Sequence, residues 1–116
     1  MNSNKALFIH GAGDIRICDY SPPEPTDSEV MVKVKAVGLC GSDLHYYKDG
    51  GIGAAKIRSA FIPGHEFSAV VTRDVPEKNI EQGELAAVDP ATPCHNCEWC
   101  RRGYHNLCPN VKFIGA

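Results

Sequence analysis

The sequence predicts a mainly β domain with short helices and a cysteine-rich lobe. Three observations support this prediction: short segments alternate apolar with polar residues, glycine- or proline-rich stretches separate them, and four cysteines fall within fifteen residues. Alternation with a period of two is typical of a strand that buries one face. The 116 residues, of which 43% are hydrophobic and 22% charged, suffice for one domain with a modest core.

The first elements are predicted to be a hairpin and a longer strand. The apolar run Lys5–His10 and the alternating segment Asp14–Asp19 are joined by Gly11-Ala12-Gly13, a composition typical of a turn. Ser21–Pro25 is rich in proline and is expected to be an extended connection. The clearest alternation of the chain follows in Glu29–Val37, which we expect to form a strand.

A short helix and further strands are predicted after this point. Cys40–Lys48 follows a glycine and begins with residues typical of a capped helix, whereas the glycine-rich Asp49–Ala54 is expected to be a loop. Asp74–Gly83 has the composition of a polar turn. Additional strands are expected at Phe67–Arg73, Leu85–Val88 and Val111–Ile114.

Charge and hydropathy argue against several classes of partner. The net charge of −2 provides no basic field, so we expect no nucleic-acid partner. No segment approaches the roughly 18 apolar residues of a membrane span, so we expect no membrane partner. Met1–Lys5 leads into only a few apolar residues and does not resemble a secretory signal, so a cytoplasmic location is expected.

Gly11-Ala12-Gly13 matches the first half of a dinucleotide-binding fingerprint, but we interpret it as a turn. Arg16 occupies the position of the third glycine, and the residues around it alternate like a strand. The fingerprint needs a helix N-terminus at this point to hold the pyrophosphate. We therefore expect no nucleotide-binding domain within these 116 residues.

Four cysteines with the spacing C-x2-C-x2-C-x7-C predict a structural zinc site. The proposed ligands are Cys94, Cys97, Cys100 and Cys108. In a chain without a secretory signal, clustered cysteines favour metal binding over disulfides. Thiolates at this spacing can converge on one ion at about 2.3 Å, and four protein ligands leave no open position. Pro109 after Cys108 makes an iron–sulfur cluster the main alternative, although ferredoxin motifs place three residues before the last cysteine. His95 and His105 lie inside the loop and could compete as ligands, although we expect them to face solvent.

A second set of candidate residues is dispersed along the chain. It comprises Cys40, Ser42, Asp43 and His45, and then His65 and Glu66. Cysteine, histidine and carboxylate side chains are zinc ligands. A buried core cysteine with a separately hydrogen-bonded histidine would give the same pattern, so the residues alone leave both interpretations open.

The order and spacing of these motifs resemble the zinc-containing medium-chain dehydrogenases. The resemblance covers residues 28–116 and rests on Gly38–His45, on Pro63–Glu66 and on the four-cysteine loop. Within the family, residues near the helix resemble the sorbitol, xylitol and L-idonate dehydrogenase branch: Ser42, His45, Tyr46, Tyr47, Gly50, Gly51 and Gly53. The fold that this implies is a GroES-like, partly open β-barrel with short helices over residues 1–116, with a zinc lobe at 94–108. The sequence departs from the family pattern at Ala60, Ala69 and Gly83-Glu84-Leu85.

The resemblance also implies a catalytic zinc site. Cys40 and His65 correspond to its first two ligands, and Glu66 to a third ligand or a nearby carboxylate that exchanges with water. Asp43 is placed to orient His65 through the second ring nitrogen.

A proton relay is implied for the same region. Ser42 corresponds to the hydroxyl that accepts the substrate proton, and His45 to the residue that passes this proton to solvent. Tyr46 is expected either to contact a polyol or to pack on the helix face.

The resemblance implies a zinc- and NAD(P)-dependent enzyme that oxidises a secondary hydroxyl of a polyol or sugar acid. It also implies that the complete enzyme is a homo-oligomer. Alternatives are a simple alcohol or threonine dehydrogenase, and a stand-alone zinc-binding interaction module. Family members continue with a dinucleotide-binding domain. The 116 residues alone are therefore expected neither to bind a nicotinamide cofactor nor to oxidise a polyol.

Overall fold

The computed structural model describes residues 4–116, which form four small antiparallel sheets and two short α-helices. The strands are β1 Asn4–Gly11, β2 Asp14–Tyr20, β3 Val32–Gly38, β4 Gly51–Ile52, β5 Ala55–Lys56, β6 Glu66–Val71, β7 Leu85–Ala87, β8 Ala91–Thr92 and β9 Lys112–Phe113. The helices are α1 Gly41–Asp49 and α2 Glu98–Arg101, with single 3₁₀ turns at Pro76–Lys78 and His105–Leu107.

The expected hairpin is formed by β1 and β2. Its register places Ile9 opposite Ile15, and Gly13 occupies the left-handed region of the turn at φ 72°. The Gly13 amide donates to the carbonyl of Tyr47 at 2.7 Å, which joins the turn to α1. Arg16 lies in β2 and no helix follows the glycines, so their interpretation as a turn is confirmed. Residues 1–3, on which the expected absence of a targeting segment partly rested, lie outside the described residues.

A three-stranded sheet in the order β3-β6-β7 carries the elements around the candidate site. The strand predicted over Glu29–Val37 begins later, at Val32, and a bulge between Val34 and Ala36 interrupts its alternation. Beyond the bulge, Gly38 pairs with Glu66. The end of β3, which precedes Cys40, therefore lies beside the start of β6, which contains Glu66 and follows His65.

Helix α1 begins after Cys40, whose backbone is extended, and is capped at its C-terminus by Gly50 in the left-handed conformation that glycine adopts without strain. The predicted helix is confirmed. The following loop contains a small hairpin that the sequence did not predict, β4 with β5. At Gly51, a Cβ would lie 2.2 Å from the carbonyl oxygen of Ala55, so the close strand approach requires glycine there.

The cysteine-rich lobe is closed by a two-residue ladder between β8 and β9. The expected strand over Val111–Ile114 is present only as Lys112–Phe113, and its partner β8 was not predicted. Between these strands the chain forms α2 and one 3₁₀ turn.

The sheets are open, and the core among residues 4–116 is small. Its buried apolar members are Ile9, Ala69, Val71, Val75, Cys100 and Cys108. The radius of gyration is 16.1 Å, compared with roughly 13 Å for a compact domain of about 100 residues. Large apolar side chains such as Val34 and Leu85 are 50% and 75% exposed. The predicted mainly β, partly open architecture is therefore observed, with several apolar sheet faces uncovered. No helix among the described residues could cross a bilayer.

Candidate metal centres

The four cysteines of the loop converge on a single point. Their sulfur atoms all lie within 4.8 Å of one another, and Cys100 and Cys108 are buried. Four sulfurs held about 2.3 Å from a zinc ion at tetrahedral angles would be separated by about 3.8 Å. The donor set therefore fits tetrahedral zinc with only small adjustments of the side chains.

Backbone amides of the same loop point at the sulfurs. The amide of Cys97 donates to Sγ of Cys94 at 3.3 Å, that of Cys100 to Sγ of Cys97 at 3.4 Å, and that of Cys94 to Sγ of Cys108 at 3.3 Å. His95 adopts a left-handed backbone, φ 55°, at a bend between the first two cysteines. Amide donors stabilise thiolates over thiols, so the loop favours the ionised form that binds metal.

Two of these cysteines have perturbed pKa values in opposite directions. The backbone amides of Asn96 and Cys97 lower the pKa of the Cys94 thiol to about 6. Burial, together with the neighbouring Cys97, raises the pKa of the Cys100 thiol to about 12. One sulfur is therefore ionised at neutral pH, whereas another releases its proton only when a cation replaces it.

The two histidines of the loop are not part of this donor set. His95 and His105 are both exposed, as expected, and their rings pack edge to face with centroids 5.1 Å apart.

The second cluster brings together Cys40, His65 and Glu66, whose ligand atoms lie within 4.8 Å of one another. Cys40 precedes α1, whereas Glu66 begins β6 directly after His65. The pairing of Gly38 with Glu66 at the ends of β3 and β6 places the chain segments that carry these side chains side by side. A thiolate, an imidazole and a carboxylate form a donor set typical of zinc.

Asp43 lies beneath this cluster with only 6% of its surface exposed. One carboxylate oxygen accepts from the Cys40 amide at 3.0 Å, and the other lies 3.8 Å from Nδ1 of His65. This second oxygen is buried and has no hydrogen-bond partner among the residues that the structure describes. Because a buried carboxylate is costly without nearby positive charge, this arrangement fits a cation bound next to it.

Ser42 lies between two of the candidate ligands. Its Oγ is 3.4 Å from Nε2 of His65, and the serine lowers the pKa of the Cys40 thiol by donating to its sulfur. His65 lowers that pKa further, and the contact with Cys40 raises the pKa of His65 despite its burial. The hydroxyl is thus placed where a molecule bound between cysteine and histidine would meet it.

The remaining predicted residues lie further along α1. His45 follows Ser42 by three residues, is exposed, and pairs with Asp49 at 3.0 Å between Nδ1 and Oδ2. Tyr46 packs edge to face on Phe61 with ring centroids 5.1 Å apart. Asp49 was not predicted, although its spacing of four residues on a helix could have indicated the pair.

Two further residues near His65 were missed by the sequence analysis. Phe113 packs its ring against that of His65, with centroids 5.5 Å apart, and the Gly115 carbonyl lies 3.4 Å from Nδ1 of His65. Their separation of about fifty residues along the chain leaves no local signal.

Comparison with known proteins agrees with this geometry. The model of the alcohol dehydrogenase GroES-like domain matches residues 26–116. The chain belongs to this family. Among its relatives, sorbitol dehydrogenase of Bacillus subtilis (strain 168) is 42% identical over 115 residues, which are 97% of this chain and 32% of that protein. Human sorbitol dehydrogenase is 38% identical, over 98% of this chain and 32% of its own length.

Solved structures of family members superpose on the whole fold. L-idonate 5-dehydrogenase of Escherichia coli matches with a TM-score of 0.81 at 27% identity, over 97% of this chain and 32% of that protein. A zinc-binding dehydrogenase of Sinorhizobium meliloti, solved with NADP, matches with a TM-score of 0.79 at 31% identity, over 96% and 32%. The chain thus spans about a third of the length of the relatives it matches, and the expected GroES-like fold is confirmed.

Proposed function

We propose that these residues form the metal-binding part of a zinc- and NAD(P)-dependent dehydrogenase that oxidises a secondary hydroxyl of a polyol or sugar acid. The observation that supports this most directly is the convergence of Cys40, His65 and Glu66 around the Ser42 hydroxyl. A metal-binding module without catalytic function would need no serine between its ligands. Sorbitol and L-idonate 5-dehydrogenases among the relatives favour the polyol or sugar-acid class.

In this proposal Cys40 and His65 hold a catalytic zinc ion, and Glu66 is a third ligand or an exchangeable neighbour. When bound, zinc supplies Lewis acidity that lowers the pKa of an alcohol. Asp43 balances charge beneath the site and contributes to the orientation of His65.

The proton is removed by residues of α1. Oγ of Ser42 accepts it from the substrate hydroxyl, and His45 passes it to solvent from an exposed position. The pair that His45 forms with Asp49 would stabilise the imidazolium during this transfer. Hydride transfer requires a nicotinamide held by another part of the complete enzyme, since the described residues contain no dinucleotide fingerprint.

The four-cysteine lobe is proposed to hold a structural zinc ion. All four ligands are protein thiolates, so no coordination position remains for a substrate. The complete enzyme is proposed to be a cytoplasmic homo-oligomer, and the uncovered apolar faces around Val34 and Leu85 are proposed to be covered by its remaining parts.

Two alternative functions differ from this proposal in their metal sites or in their substrate. A zinc-binding interaction module would need only the four-cysteine lobe, and the second cluster disfavours it. A simple alcohol or threonine dehydrogenase would share both metal sites and differ only in substrate. A steady-state assay of the complete enzyme with sorbitol, xylitol, L-idonate, ethanol and threonine, each with NAD and NADP, separates these possibilities.

The test of the metal sites is elemental analysis of the purified chain. We expect two zinc ions per chain in the unsubstituted protein and one in Cys40→Ser. A matched Cys18→Ser variant should retain both, since Cys18 is exposed and belongs to neither donor set. Unchanged zinc content in Cys40→Ser would contradict the catalytic site, and stoichiometric iron would contradict the structural zinc site.

A further inference from the structure

We propose that the backbone carbonyl of Gly115 holds His65 in the Nδ1–H tautomer, which can ligate a metal through Nε2. In this way the segment leaving the four-cysteine lobe positions a ligand of the second metal site. The inference rests on the proposed function in one respect, namely that Cys40, His65 and Glu66 form a metal site. Gly115 is a positioning residue and takes no direct part in the chemistry.

The contacts between the two segments are close and involve mainly backbone. The Gly64 amide donates to the Gly115 carbonyl oxygen at 3.1 Å, and the same oxygen lies 3.4 Å from Nδ1 of His65. The ring of Phe113 covers that of His65 at 5.5 Å between centroids. His65 is therefore held from the side opposite to Ser42, which faces Nε2.

The chemical identity of the acceptor decides which tautomer this contact favours. A carbonyl oxygen can only accept a hydrogen bond, so the contact is favourable only when Nδ1 of His65 carries the proton. In the neutral ring Nε2 is then unprotonated and presents its lone pair toward Cys40 and Ser42. A partner at the second ring nitrogen is the usual device for orienting a metal-bound histidine.

Asp43 reinforces the same tautomer but does not replace the carbonyl. Its nearer oxygen lies 3.8 Å from Nδ1, beyond hydrogen-bond distance, whereas its other oxygen is engaged with the Cys40 amide. The carbonyl of Gly115 is thus the nearer acceptor for the Nδ1 proton.

The backbone crossing tolerates only glycine. Gly115 has φ 79°, and a Cβ built there would lie 1.9 Å from the carbonyl oxygen of Gly64. Gly64 itself has φ 105°, and its Cβ would lie 2.7 Å from Cγ1 of Val37. Any side chain at position 115 would push the two segments apart and move the carbonyl away from His65.

The position of this carbonyl depends on the closure of the cysteine-rich lobe. Gly115 follows β9, which pairs with β8, and the amide of Ile114 donates to the carbonyl of Pro90 at 3.0 Å. Cys94 and Cys108 lie between these strands. Metal at the four cysteines therefore stabilises the ladder that delivers Gly115 to His65.

The experiment compares Gly115→Ala with Gly13→Ala. Gly13 also has a positive φ, 72°, but nothing lies within 4 Å of its Cβ position, so this variant controls for backbone strain alone. Nitrogen-15 NMR of the imidazole, at a pH where the ring is neutral, reports the tautomer of His65. Cobalt titration reports the affinity of each metal site, since four thiolates give stronger sulfur-to-cobalt charge transfer than one.

In Gly115→Ala we expect the Nε2–H population of His65 to rise measurably, because only the more distant Asp43 then favours the Nδ1–H form. The cobalt affinity of the second site should fall about 10- to 100-fold. The four-cysteine site should keep its affinity, and Gly13→Ala should match the unsubstituted chain in both measurements. Phe113→Leu keeps the carbonyl and should keep the tautomer, which separates the hydrogen bond from ring packing.

The proposal is overturned if Gly115→Ala retains both the tautomer and the affinity. It is also overturned if His65 of the unsubstituted chain is found as Nε2–H, a result that needs no variant to fold. Failure of the second site to bind cobalt in the unsubstituted chain would instead contradict the proposed function, while the NMR comparison would still decide the role of Gly115.

Discussion

Replacing Cys100 by serine tests how much of this fold depends on metal. Cys100 is one of two buried cysteines in the lobe, and α2 contains it. Serine is nearly isosteric with cysteine but is a poor zinc ligand, so the substitution removes one of four ligands with little change in volume. The matched control is Cys18→Ser, at an exposed cysteine in β2.

The expected loss of stability is large because few other contacts stabilise the lobe. Between Pro93 and Asn110 the only buried side chains are Cys100 and Cys108, and the closing ladder joins two residue pairs. A structural zinc ion contributes about 10–16 kcal/mol of apparent binding free energy, whereas a whole domain is stable by about 5–15 kcal/mol. Two buried side chains and a two-pair ladder cannot replace most of that free energy once the zinc ion is lost.

The assay combines hydrogen exchange with thermal unfolding and zinc analysis. We expect Cys100→Ser to lose the structural zinc ion and the slow exchange of the Cys97 and Cys100 amides, which donate to cysteine sulfur atoms. Its unfolding temperature should fall by many degrees, whereas Cys18→Ser should unfold like the unsubstituted chain. Equal temperature shifts in the two variants would refute the assignment of the cluster.

Three further predictions concern pH, catalysis and cofactor binding. Cys94, with a pKa of about 6, is already ionised at neutral pH, whereas Cys100, with a pKa of about 12, must release a proton when zinc binds. The apparent zinc affinity of the four-cysteine site should therefore rise about tenfold or more per pH unit between about pH 7 and 9. A flat pH profile in a chelator competition would contradict this. In the complete enzyme, Ser42→Ala should lower kcat about 10²- to 10⁴-fold with zinc content unchanged. His45→Ala should lower kcat less, because water can replace the imidazole. Full activity of Ser42→Ala would remove serine from the mechanism. Calorimetric titration of residues 1–116 with NAD or NADP should show no saturable binding, since Gly13 leads into β2 and no helix N-terminus follows.

The sequence predicted best those features whose partners are close along the chain. The β1–β2 hairpin and α1 depend on turn and cap residues at their own ends, such as Gly13 and Gly50. The four-cysteine site lies within fifteen residues, so its spacing alone indicated its geometry. The β4–β5 hairpin and α2 were missed because two-residue strands and a four-residue helix are too short to show periodicity.

The second site could be predicted only through resemblance, since its geometry depends on pairing between distant strands. Cys40 and His65 meet because the bulge between Val34 and Ala36 sets the register in which Gly38 faces Glu66. A register shifted by one residue would turn every side chain of β3 to the opposite face.

The alternation in β3 predicted its secondary structure but not its burial. Its period indicated correctly that the segment is a strand, yet Val34 and Val37 are 50% and 56% exposed. Periodicity tells which side of a strand is apolar but not what covers it. Fully burying an exposed valine is worth about 1.5–3 kcal/mol, so these half-exposed valines leave part of that free energy unrealised. The chain spans a third of the length of its relatives, and the dehydrogenase proposed above would bury this face. In that longer protein the β3 amides should be protected from hydrogen exchange, and exchange equal to that of residues 1–116 would place the covering surface elsewhere.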